Sequence, residues 1–63
     1  MNLKRIRKEK GISREELAVS SGVNIRMIQY YEQGTKDINK AQALTIYKLA
    51  RALRCDMADL LNI

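Results

Sequence analysis

Residues 13–34 read SREELAVSSGVNIRMIQYYEQG, and this stretch decides the fold. Ser13, followed three residues later by Glu16, is typical of a capping box. In this motif the hydroxyl accepts an amide of the first helical turn, while the carboxylate accepts the amide of the capping residue. A helix is therefore predicted to begin at Arg14. Gly22 stands where a left-handed residue would end it.

A second helix follows after a short turn. Asn24 is the predicted N-cap of a helix over about residues 25–33, and Gly34 closes that helix. Ala18 supplies the small side chain that two helices need where they cross at roughly 90–120°. These features together predict a helix-turn-helix. The apolar residues that would hold it together are Leu17, Val23, Ile28 and Tyr31.

The flanking segments predict three more helices, and no strand pattern competes with them. The first covers about residues 2–10. The fourth begins after Asn39, which forms a second capping box with Gln42, and runs to about Leu53. Asp56 caps a last turn or two. The fourth helix carries a wide apolar stripe that is expected to face the core: Ala43, Ile46, Tyr47, Leu49, Ala50 and Leu53.

Length and composition restrict the class of protein. We predict one compact, all-α, five-helix domain over residues 1–63. The absence of His and the single Cys55 argue against a zinc site, His-dependent catalysis and an internal disulfide. We therefore expect no enzyme, no metal, no cofactor and no small-molecule ligand. The longest apolar run, residues 17–19, is too short to cross a membrane, so we expect a cytoplasmic protein.

The charge balance favours a polyanionic partner. Twelve Lys and Arg residues stand against seven Asp and Glu residues, which leaves a net charge of +5. Such a surface attracts nucleic acid or an anionic membrane face, and charge alone does not choose between them.

Five segments carry a resemblance to a known family: LKRIR at 3–7, GISREELA at 11–18, SGV at 21–23, YEQG at 31–34 and KLARAL at 48–53. They resemble the phage-repressor-like helix-turn-helix family of the lambda Cro and XRE type. The resemblance implies a lambda-repressor-like DNA-binding domain that forms a homodimer. Its third helix would lie in the major groove of double-stranded operator DNA and its function would be repression.

The outward side of the third helix is the expected base-reading surface. If the helix buries Ile28 and Tyr31, other positions at helical spacing lie on or beside its free face. Arg can bond bidentately to guanine, Gln to adenine, and Ile can contact a thymine methyl group. An ordinary solvated helix face is the alternative. The candidate base-contacting residues are Ile25, Arg26, Gln29 and Tyr30.

A second group of residues is expected to contact the DNA backbone, with plain solubility as the alternative role. Arg14 belongs to this group and stands where the family commonly has Gln. The candidate phosphate-contacting residues are Arg14, Asn24, Gln33, Lys36 and Lys40.

Several residues outside the DNA-contacting surface carry further predictions. A carboxylate facing DNA would be repelled, so Glu32 is expected to turn inward and pair with Arg7, as the resemblance also suggests. Cys55 is expected to be a small buried apolar residue. Arg54 stands where the family commonly has Gly at a helix end. Leu60, Leu61 and Ile63 are expected to form a dimer contact, or else to pack on their own core.

The sequence favours a sequence-specific DNA-binding repressor, and one alternative comes from another class. In it the fold serves as a protein-interaction module, such as an antitoxin or adaptor domain. That module would bind a protein partner through Ile25, Met27 and Tyr30.

Overall fold

The computed structural model describes residues 2–62, and within them it contains five α-helices and no strand. No helix in this part of the chain is long and apolar enough to cross a membrane. A 3₁₀-helical turn over Ile38–Lys40 precedes the fourth α-helix. The α-helices are α1 (Asn2–Glu9), α2 (Arg14–Ser21), α3 (Ile25–Gln33), α4 (Ala43–Leu53) and α5 (Met57–Leu60).

Local sequence signals define the start and end of α2. The Ser13 hydroxyl accepts the Glu16 amide, and the Glu16 carboxylate accepts the Ser13 amide, each at 3.0 Å. Gly22 ends the helix with φ 75°, in the left-handed region where glycine avoids the strain of a side chain. Both predictions for α2 are confirmed.

The predicted start of α4 is wrong. Asp37, rather than Asn39, caps the 3₁₀-helical turn, and α4 begins at Ala43 after a Gln42 that makes no side-chain cap bond. The Asn39 side chain instead bonds a residue that is distant in the sequence. Its Nδ2 donates to the Asn62 carbonyl at 3.1 Å, and its Oδ1 accepts the Asn62 amide at 2.8 Å. This pair of bonds ties the loop before α4 to the C-terminal end of the chain.

The core lies where α2 packs between α3 and α4, with α1 against α3 and α5, and α5 against α4. Two members of the predicted α4 stripe do not face it, since Ala43 is exposed and Tyr47 is 45% exposed. The Tyr47 hydroxyl instead accepts a bond from Arg51 Nη1 at 3.0 Å. The side chains that the core buries completely are Leu3, Leu17, Ile28, Ile38, Leu49, Leu53 and Leu60.

The C-terminal apolar residues do not act as one group. Leu60 is fully buried among residues of its own chain, so for this residue the alternative of packing on its own core applies and a dimer contact does not. The short helix α5 packs against both α4 and α1, and Leu60 is its buried residue. Leu61 is half-buried and packs at the edge of the same core. Ile63 lies outside the described residues.

Candidate nucleic-acid interface

Helix α3 is fixed at both ends and along one side. The Asn24 side chain accepts the Arg26 amide at 2.8 Å at its start, and Gly34 closes it with φ 81°. Ile28 and Tyr31 are buried in the core between these ends. The other side of α3 is consequently held toward solvent by a rigid support, the arrangement that a recognition surface needs.

The four candidate base-contacting residues lie on this outer side to different extents. Arg26 is exposed, whereas Ile25, Gln29 and Tyr30 are half-buried. None of the four is enclosed by the protein. The Tyr30 ring also lies 6.0 Å from Lys36 Nζ, a cation–π distance that links α3 to the loop after it.

The candidate phosphate-contacting residues surround α3. Asn24 and Gln33 stand at its two ends, and both are exposed. Lys36 and Lys40 are exposed in the segment that follows, and the Lys36 amide donates to the Tyr30 carbonyl at 3.2 Å. Arg14 is half-buried, because one edge of its guanidinium faces the protein.

A buried carboxylate joins the first three helices. Glu32 accepts from Arg7 Nε at 2.6 Å, from Arg7 Nη2 at 3.1 Å and from Arg14 Nε at 3.0 Å. The remaining Arg7 nitrogen, Nη1, donates to the Ile12 carbonyl at 2.8 Å. Arg7 and Glu32 are thus paired in the way the sequence predicts, and within residues 2–62 no buried side-chain nitrogen or oxygen lacks a partner.

The charges in this cluster shift the pKa values of Arg7 and Glu32. Burial raises the pKa of the Glu32 carboxyl, but the hydrogen bonds and charges of Arg7 and Arg14 outweigh that effect and hold its pKa below the usual glutamate value. The hydrogen bond to Glu32 raises the pKa of Arg7, against the opposing effect of burial. The Glu32 carboxyl is therefore ionised at neutral pH.

Sequence reasoning missed the contact between Arg14 and Glu32. The two residues are 18 positions apart and lie on different helices, so no local pattern connects them. The one available signal is Arg at a position where the resembling family commonly has Gln. A third partner for the predicted ion pair becomes visible only once α2 and α3 are packed together.

Apolar surface outside α3 is also exposed. Val19 on α2 is 85% exposed and Leu44 on α4 is 58% exposed. By contrast, the residues of the proposed protein-interaction surface, Ile25, Met27 and Tyr30, are all half-buried, and Met27 packs against the core. Among residues 2–62 there is no group of His, Cys, Asp and Glu residues that could hold a metal ion.

Comparison with known proteins agrees with this architecture. A family model described as "Helix-turn-helix" matches residues 3–60, which is nearly the whole chain. No curated protein and no solved structure matches the chain. The match includes the capped α2, the turn at Gly22 and the supported α3. The chain therefore belongs to the XRE-type, phage-repressor-like helix-turn-helix family, and it is a DNA-binding regulator.

Proposed function

We propose that this regulator is a repressor that reads double-stranded DNA by sequence, with α3 lying in the major groove of an operator. The observation that carries the proposal is the two-sided character of α3. Ile28 and Tyr31 anchor its inner side, while Arg26 is exposed and Gln29 half-exposed on the outer side. An α-helix with its side chains is about 10–12 Å across, which suits a major groove about 12 Å wide.

The residues divide into two roles under this proposal. Arg26 donates two hydrogen bonds to a guanine and Gln29 bonds an adenine, while Ile25 meets a thymine methyl group with Tyr30 beside it. The second role is contact with backbone phosphates, which fixes the position of the protein without reading sequence. Its candidates are Arg14, Asn24, Gln33, Lys36 and Lys40.

A homodimer fits a repressor of this kind. Two copies would read paired half-sites one helical turn, or about 34–36 Å, apart. The domain measures 23 × 22 × 20 Å between its outermost Cα atoms, so two touching copies are of a size to span this distance. Leu61 and Ile63 are the proposed contacts between the copies, and the protein would act on its operator in the cytoplasm.

Selection from a random duplex pool tests the proposal directly. A repressor dimer is expected to recover a palindromic site. Affinity for that site is then compared with affinity for a scrambled duplex over a range of salt concentrations. Failure to retain any duplex, together with tight capture of a protein partner, would favour the interaction module instead.

Three alanine variants separate the proposed roles. Arg26→Ala and Gln29→Ala should each weaken binding to the selected site by about 1–3 kcal/mol and relax its sequence preference. Lys36→Ala should weaken binding to all duplexes alike and reduce the salt slope by about 0.9. The matched control is Lys48→Ala, which removes the same charge from an exposed position on α4. Equal losses on every duplex for all three variants would contradict these assignments.

A further inference from the structure

Arg14 connects the protein interior with its surface. It is the first residue of α2, and its Nε donates at 3.0 Å to Oε1 of Glu32, near the end of α3. The Glu32 side chain is 1% exposed, whereas that of Arg14 is 34% exposed. One edge of the guanidinium is therefore held by the protein while another part of the side chain reaches solvent.

The geometry leaves the phosphate-binding edge of Arg14 available. A guanidinium carries five N–H donors, and its planar fork matches the oxygens of a phosphate. Glu32 engages Arg14 through Nε. Within residues 2–62, neither terminal nitrogen of Arg14 donates to another group. These two nitrogens form the edge that can bind a phosphodiester bidentately.

Glu32 itself is firmly held. Two nitrogens of Arg7 donate to its carboxylate, and the third donates to the carbonyl of Ile12, just before α2. The carboxylate is thereby fixed relative to both α1 and α2. A side chain that is already ordered loses less conformational entropy when it binds a ligand, so an anchored Arg14 is preorganised for an anion.

The start of α2 offers little to an anion apart from Arg14. Its Glu16 amide is already bonded by the Ser13 hydroxyl, and Glu15 and Glu16 place two negative charges in the first turn. The helix end alone is therefore a poor binding site for a phosphate. Arg14 is the basic residue that the structure supplies at this point.

We propose that Glu32 is a positioning residue for DNA binding, which holds Arg14 so that its terminal nitrogens clamp a backbone phosphodiester. The inference rests on the DNA-binding function and deepens it. The expected effect has an unusual sign, because a buried negative charge would strengthen the binding of a polyanion. General electrostatics predicts the opposite effect for removal of that charge.

Two charge-matched variants test the sign. Glu32→Gln and Glu15→Gln each remove one negative charge from the same region, and Glu15 is exposed in the first turn of α2. Glu15→Gln should leave affinity for a non-specific duplex unchanged or raise it slightly. Glu32→Gln should weaken the same affinity by about fivefold, equivalent to about 1 kcal/mol. Similar affinities for the two variants would overturn the proposal while leaving DNA binding itself intact.

A double-mutant cycle with Arg14→Gln shows whether Glu32 acts through Arg14. Arg14→Gln leaves the pair between Arg7 and Glu32 in place and should reduce the salt slope by about 0.9, as expected for one lost phosphate contact. In that background Glu32→Gln should no longer weaken binding. A fivefold loss that persists without Arg14 would show a merely structural effect and overturn the proposal.

Thermal melting, monitored by circular dichroism, checks that each variant is folded at the temperature of the binding assay. If Glu32→Gln is unfolded, Arg14→Lys provides the test, because lysine keeps the charge but has no fork to bond both Glu32 and a phosphate. It should weaken non-specific binding by about fivefold at unchanged net charge. Wild-type affinity in Arg14→Lys would overturn the proposal. Failure of the wild-type chain to bind any duplex would instead overturn the DNA-binding function on which it rests.

Discussion

Helix α4 ends at a residue that is strained by its own side chain. Arg54 has φ 56° and ψ 47°, and it is the one non-glycine residue with positive φ among residues 2–62. The left-handed conformation costs an L-residue about 1–2 kcal/mol, which glycine avoids. Glycine in turn loses about 0.4–1 kcal/mol more backbone entropy on folding. The difference predicts that Arg54→Gly stabilises the fold by about 1 kcal/mol.

The assay compares thermal unfolding of Arg54→Gly with that of Arg54→Ala. Both variants remove the same exposed charge at the end of α4, but alanine retains the Cβ atom that causes the strain. For a domain of this size, about 1 kcal/mol corresponds to a Tm difference of roughly 4–8 °C, with the glycine variant melting higher.

Gly22→Ala tests the same reasoning in the opposite direction. A Cβ atom added at Gly22 would meet nothing within 4 Å, so its cost comes from φ 75° alone. This variant should lose about 1 kcal/mol. The explanation would be refuted if Arg54→Gly melted at or below Arg54→Ala while Gly22→Ala behaved as expected.

The remaining predictions concern acid stability, helix capping and the thiol. Because the pKa of Glu32 is lower in the folded chain than the unfolded value of about 4.3, its ion pairs stabilise fully above that pH. Their contribution is lost as the pH falls through the folded-state pKa, and urea unfolding should show a shallower acid-induced loss of stability in Glu32→Gln. Ser13→Ala should lower the unfolding free energy by about 1 kcal/mol in the same assay at pH 7, because the capping box is lost. Burial and the charge of Asp59 raise the pKa of the Cys55 thiol, so iodoacetamide should alkylate it more slowly in the native chain than in urea at neutral pH. Equal alkylation rates in the two states would contradict that protection.

The parts of the fold that could be predicted are those with local causes. The Ser13 box, the left-handed Gly22 and Asp56 at the N-cap position of α5 each depend on residues within one or two turns, and each is present in the structure. The end of α4 at Leu53 was also predictable, because Leu53 is the last residue of its apolar helical pattern. Sequence alone can show such features because the interacting groups are brought together by the helix itself.

Of the two main errors in α4 and the segment before it, one has a long-range cause and the other a local one. Asn39 resembles a helix cap, but two bonds to Asn62 use its side chain elsewhere. Tyr47 belongs to the apolar pattern of α4, yet its hydroxyl bonds Arg51 at the surface. In each case the residue type permits two roles. A distant segment selects the role of Asn39, whereas Tyr47 lies at the exposed edge of the α4 stripe beside Arg51, one turn further along the same helix.

The sequence by itself determined that this chain forms short capped helices around an apolar core, because propensity, capping and periodicity are local properties. Tertiary structure alone decided that Leu60 packs inward and that Arg14 reaches Glu32. Those outcomes depend on how α2, α3, α4 and α5 cross one another, which brings together side chains from different helices. The candidate DNA-contacting residues were identified from the helix pattern, but the support behind Arg14 required the packed domain.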